Sequence, residues 1–241
     1  MFKRMAKLDP MPPWGYLSAL GAFVVMFLGI LIGATIIATI FTDTSAPTLM
    51  VGWGIGMVIT IFYIFSSHRR SPAEADALKM GVTSAKLPII ALWSLGFAIL
   101  FDLIGWAVVN NQTLASAELL SFSGQNISLV GWIIAGIFMI LLQPLAEELV
   151  FRGLMFPAFR GMFGAWVGFW MVVVFNALFH FLAYQPATPN STILLWYGAG
   201  LPFLDAIIIT GVRAYTGSTR ASLVAHAVFG AFALIKAFTF A

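Results

Sequence analysis

The sequence contains no cysteine, only three histidines and very little charge: 9% of its 241 residues are Asp, Glu, Lys or Arg. Without cysteine there are no disulfides, no thiolate metal sites and no cysteine nucleophile. So little charge excludes a water-soluble enzyme, because soluble domains carry about 25% charged residues. Also missing are the roughly ten-residue stretches of alternating polarity that mark an outer-membrane barrel. No internal repeat appears, and no interleaving of basic and aromatic residues points to nucleic acid. What is abundant is apolar: 61% of residues are hydrophobic, the mean hydropathy is +0.99, and the apolar residues come in long unbroken runs. The chain reads as all-α, a polytopic helical bundle in a lipid bilayer, with no room for a separate folded soluble domain.

Seven runs are long enough to span: Tyr16 to Phe41, Leu49 to Phe65, Pro88 to Val109, Leu129 to about Phe151, Gly164 to Ala183, Ile193 to Val212 and Ala221 to Phe240. The first follows Lys3, Arg4 and Lys7 but is too long for a signal-peptide core, so it is expected to be a retained anchor. With a cytoplasmic N-terminus, the inner side receives Lys3, Arg4, Lys7, Arg69, Arg70, Lys79, Lys86, Arg152, Arg160, Arg213 and Arg220. That leaves only Lys236 near an outer C-terminus. By the positive-inside rule this fixes the expected orientation. The outer loops carry Asp43 and Glu118 and no basic residue. The largest inner loop, 66–87, has mixed charge and room for a short helix after Pro72. Gly29 with Gly33, Gly52 with Gly56, and Gly164 with Gly168 form small-xxx-small pairs of the kind that let membrane helices approach closely.

Each ionisable residue inside a span needs a reason, since one charge at the bilayer centre costs roughly 2.5–3.5 kcal/mol even on lenient scales. The candidates are Asp102, Glu147, Glu148, His180, Asp205 and His226. Glu147 and Glu148 are adjacent and point about 100° apart on a helix, while Arg152 lies one turn beyond Glu148 on the same face. Glu148 is thereby neutralised, and Glu147, without a local partner, is available for acid–base work. Pro144, one turn earlier, should loosen the helix beside it. The plainer alternative is that the two glutamates and Arg152 mark a helix end at the inner surface. A single histidine in a membrane helix is more often a packing residue. Two histidines and two glutamates on three helices instead favour one shared polar centre, which Asp205 can join; Asp102 has no obvious place in it.

The run Glu147-Glu148-Leu149-Val150-Phe151-Arg152 supplies Glu-Glu-x-x-x-Arg, and His180 and His226 follow on later helices. In this the chain resembles the CAAX-protease and bacteriocin-processing (CPBP) family of intramembrane proteases, also called abortive-infection proteins. Tyr215-Thr216-Gly217-Ser218 ahead of Ala225-His226-Ala227 resembles the family's lead-in to its last motif. The resemblance covers about Leu141 to Ile235, and so divides a single membrane domain, 1–241, into an N-terminal three-helix part, 1–128, and a CPBP-like core in the last four helices, 129–241. Two positions depart from the pattern. Asn176 stands where the family has Phe four residues before the first histidine, with Phe175 shifted by one. Gly230 stands where the family has Asn four residues after the last.

The resemblance implies an intramembrane endopeptidase in which Glu147 and His180 activate water, His226 polarises the carbonyl, and Glu148 with Arg152 orients Glu147. Asn176 is expected to supply the amide that Gly230 lacks, with Asp205 in support. It implies a peptide or prenylated protein as substrate and either no cofactor or zinc held by Glu147, His180 and His226. It also implies a multi-pass protein of a bacterial cytoplasmic membrane. For all of these to meet, the fourth helix must run past Glu148 toward Phe156 or Phe159. A non-catalytic scaffold or subunit of a larger membrane complex, and a proton or solute carrier, are the alternatives the residues leave open.

Overall fold

The computed structural model describes residues 2–42, 45–122, 126–185 and 188–240, and among these it is all-helical. Asp43 lies outside the described residues. A short N-terminal turn, α1 (Phe2–Met5), precedes α2 (Tyr16–Phe41), α3 (Ala46–Ser67), α4 (Pro72–Ala77) and α5 (Leu87–Val108). Then follow α6 (Leu129–Phe163), α7 (Ala165–Ala183), α8 (Ser191–Thr216) and α9 (Thr219–Phe240). All but α1 and α4 are long and apolar enough to cross a membrane, and the protein is a multi-pass membrane protein. Their outward faces carry exposed Phe62, Leu92, Trp93 and Leu129, as lipid-facing surfaces do. The helix after Pro72 is α4, held by a capping box between Ser71 and Glu74.

The α2–α3 pair crosses where Gly29 faces Gly56 and Gly33 faces Gly52, so tightly that a Cβ on Gly56 would stand 2.5 Å from the Gly29 backbone. Gly164 has a different role from the one its spacing predicts. With φ 87 it makes the one-residue turn between α6 and α7, and Gly168 alone forms the close approach, against the backbone of Arg160.

Helix α6 runs unbroken past Glu148 to Phe163. Two wide π-helical stretches, Phe138–Leu142 and Glu148–Met155, flank Pro144. Proline has no N–H to donate and its ring crowds the carbonyl one turn back, and the π turns absorb that misfit. Near its far end α6 is tied to the N-terminal segment. Trp14 Nε1 donates to the Leu154 carbonyl at 3.2 Å, and Arg160 donates to the carbonyls of Met5 (2.5 Å) and Lys7 (3.1 Å). At the same end the Lys79 carbonyl accepts from the N–H groups of Thr219 and Arg220. At the opposite end the connection after α5 folds inward through a 3-10 turn, Ala117–Phe122, burying Ala117, Glu118, Leu119 and Phe122.

Candidate active site

Helices α6, α7 and α9 bring Glu147, Glu148, His180 and His226 together. Glu147 and Glu148 are fully buried, and Oε2 of Glu147 meets Nε2 of His180 at 3.0 Å and Nε2 of His226 at 4.0 Å. Asn176, one turn before His180, donates its amide to the same oxygen at 3.3 Å. Oε1 of Glu147 has no hydrogen-bond partner among the described residues.

Glu148 faces elsewhere. Its Oε1 accepts from Nη1 of Arg152 at 3.0 Å and from Nδ1 of His226 at 2.9 Å. The expectation that Glu148 and Arg152 orient Glu147 therefore does not describe the geometry: they hold His226, whereas Asn176 and His180 hold Glu147. The cause is the 100° between adjacent side chains. Arg152 is itself wholly buried and reaches the Ala206 carbonyl and Thr210 on α8. Beneath it lies a second buried cation, Arg213, paired with Asp9 at 2.8 Å and donating to the Arg152 carbonyl.

A cavity opens in front of this cluster. Asn176, His180 and His226 stand on its wall and Glu147 lies directly behind them. The rest of the wall is largely apolar, including Ala98, Phe229 and Phe232. Asp205 also lines it, close enough to His180 and Glu118 to feel their charge, but its Oδ1 has no hydrogen-bond partner among the described residues. Asp102 does not join the centre. It pairs with Lys236 across the α5–α9 contact on the same cavity wall, ten residues and about 15 Å along α9 from His226. Gly230 is on the wall too, and a Cβ there would run into the Met139 carbonyl. Phe175 packs edge-on against Phe23 and Phe159, away from the cavity.

Two polar residues in the site are not among the site candidates drawn from the sequence, which places Glu118 only in an outer loop. Glu118, from the buried 3-10 turn, places Oε1 at 3.3 Å from Nδ1 of His180, and Gln143, one turn before Glu147, donates to the same oxygen at 3.0 Å. Burial alone would raise the Glu118 pKa; the hydrogen bond and charge of His180, helped by Gln143, more than offset that and hold it at about 2. The signal in the sequence is weak: the acid has Ala117, Leu119 and Leu120 as immediate neighbours within a loop that is otherwise largely polar. Tyr184 packs edge-on to the His180 ring, and burial with the charges of Glu147 and Glu118 pushes its hydroxyl well above the usual value.

Chemically, the arrangement offers a carboxylate flanked by two imidazole nitrogens and an amide, beside an apolar cavity. Ligand atoms of Glu147, His180 and His226 all lie within 4.8 Å of one another, and two imidazoles with one carboxylate is a zinc-type donor set with room for a fourth ligand. Neither the comparison with curated proteins nor that with solved structures finds a match. One family model matches, described as Type II CAAX prenyl endopeptidase Rce1-like, over residues 129–232. That stretch holds Glu147, Glu148, Arg152, Asn176, His180, Asp205 and His226, and over it the chain is similar to that family, in keeping with the resemblance its motifs carry.

Proposed function

We propose that the protein is an intramembrane endopeptidase that cleaves a peptide bond in the cavity in front of His180 and His226. The observation that carries this reading is the convergence of Glu147, His180 and His226 from three helices onto one oxygen beside that cavity. A water reaching the gap between the two Nε2 atoms is within hydrogen-bonding range of Glu147. As the water oxygen bonds to the scissile carbon, Glu147 takes its proton; the C–N bond then breaks and the proton passes to the leaving amine. His226, held through Nδ1 by Glu148, and the Asn176 amide are the donors nearest the developing oxyanion. His180 and Asn176 keep Glu147 aimed.

The same three side chains would hold zinc, which when bound polarises a carbonyl and activates water. Elemental analysis of wild type and Glu147→Gln decides that point. We place the N-terminus in the cytoplasm and the C-terminus outside a bacterial cytoplasmic membrane, on the distribution of Lys and Arg. The substrate is a peptide or a prenylated protein end; the Asp205 carboxyl group on the cavity wall supports binding, its carbonyl oxygen accepting from a backbone N–H.

The test is cleavage of membrane-associated peptides, prenylated and plain, by protein in liposomes. Wild type should cleave, and Glu147→Gln and His180→Asn should lose at least a hundredfold in kcat while melting like wild type. Unchanged turnover in both variants would refute the proposal and favour a scaffold in a larger membrane complex.

A further inference from the structure

We propose that Glu118 is a positioning residue of this active site: from the inward-folded turn after α5 it holds Nδ1 of His180 and so keeps Nε2 aimed at Glu147. The inference rests on the proteolytic reading for its kinetic consequence, but not for its geometry. Glu118 is 4% exposed, lies outside the family-matched residues, and no comparison assigns it a role.

His180 is gripped at both ring nitrogens by carboxylates, at 3.3 Å from Glu118 and 3.0 Å from Glu147. A carboxylate can only accept, so each contact requires a proton on the nitrogen, or on one of the acids. Remove Glu118 and the ring is free to flip, or to adopt the tautomer that presents a bare nitrogen to Glu147. Carboxylate–imidazole pairs elsewhere work this way: the outer acid fixes ring orientation and tautomer without touching the substrate. The second observation is Gln143. It sits one helical turn before Glu147 and donates to the very oxygen that Glu118 turns toward His180. Glu118 is therefore fixed by α6, and α6 also carries the group that His180 must meet. A carboxylate serving only to anchor the loop would need no such alignment. The role holds whether His180 acts on water directly or binds a metal, since a ligating histidine is oriented by a partner on its other nitrogen in the same way.

Glu118→Gln keeps an acceptor of the same shape and removes the charge. We expect the loop to stay seated, the melting temperature to remain within about 2 °C of wild type, and kcat to fall about 10- to 100-fold with KM within about twofold. Glu118→Asp should recover part of that loss and Glu118→Ala none. The second readout needs no substrate. With only His68, His180 and His226 in the chain, ¹⁵N-histidine spectra should show Glu118→Gln moving the ring signals of His180 alone. Histidine spectra unchanged by Glu118→Gln would overturn the proposal whatever the kinetics. So would moved His180 signals with unchanged kcat in an active enzyme. If wild type and variants are equally inactive, the proteolytic reading fails and the spectra still decide whether Glu118 orients His180.

Discussion

Gly230→Asn would restore the amide that the family carries four residues after its last histidine, and the structure predicts that it harms this protein. Gly230 packs against the carbonyl of Met139, within the first π stretch of α6, and a Cβ would run into that backbone oxygen. A side chain in the way can rotate; a main-chain carbonyl cannot, so α9 must move. Overpacking of this kind costs about 1–3 kcal/mol. At roughly 2–4 °C per kcal/mol for a chain of this size, melting should drop by about 2–12 °C. The larger consequence is catalytic. His226 lies one turn from Gly230 and is held at 2.9 Å from Glu148, so displacing α9 pulls it from its partner. A misplacement of about 1 Å is worth about a hundredfold in rate. Gly230→Ala separates the two effects, because it adds the clash without the amide. Both variants should melt lower than wild type in detergent and cleave more slowly, and Asn176→Ala should lose activity with little change in melting. If Gly230→Asn melted with wild type and cleaved tenfold faster, the close α6–α9 contact would not be the reason glycine stands there.

Arg152→Met should destabilise by about 3–5 kcal/mol in chemical unfolding, because it leaves Glu148 buried with only His226 as partner; a loss under about 1 kcal/mol would mean that water reaches Glu148. Gly56→Leu should separate α2 from α3, since its Cβ would meet the Gly29–Ile30 backbone, and a well-behaved, fully active variant would contradict that crossing. His68 is buried between Ser18 and Ser67, and burial lowers its pKa, with Arg70 adding to the effect and Glu74 opposing it. The folded state then binds fewer protons than the unfolded one just below pH 6.5. The contribution of His68 is thus complete above pH 6.5 and lost as pH falls through the folded value. Melting between pH 7.5 and 4.5 should decline less steeply in His68→Asn than in wild type, and parallel declines would refute the assignment.

The spans were legible because about twenty apolar residues in a row have few other places to go. Their ends were harder, for local reasons. Helix α3 starts at Ala46, before the apolar run, because Pro47 is tolerated in a first turn, and α8 continues to Thr216 because Arg213 finds Asp9 inside the bundle. The fourth span looked as if it stopped near Phe151. Its polar continuation stays helical because Glu148 has Arg152 and Arg160 has the carbonyls of the N-terminal segment. Of the site, the residues on membrane helices stood out because charge there is rare. Glu118 did not, for it sits in a loop and meets a histidine 62 positions later. The Asp102–Lys236 pair, 134 positions apart, was invisible for the same reason.

These long separations show how the two parts of the chain divide the work. Residues 129–232 contribute the carboxylates, histidines and arginines of the centre, but that set does not complete its own polar pairing. His180 needs Glu118 on its second nitrogen, and Arg213, 1% exposed, needs Asp9. Both acids come from the first 128 residues and approach from opposite ends of the bundle. A buried ion without its partner costs several kcal/mol, more than most single contacts in a fold return. The first 128 residues are therefore no mere membrane anchor, because they supply the counter-charges that let this polar centre stay buried.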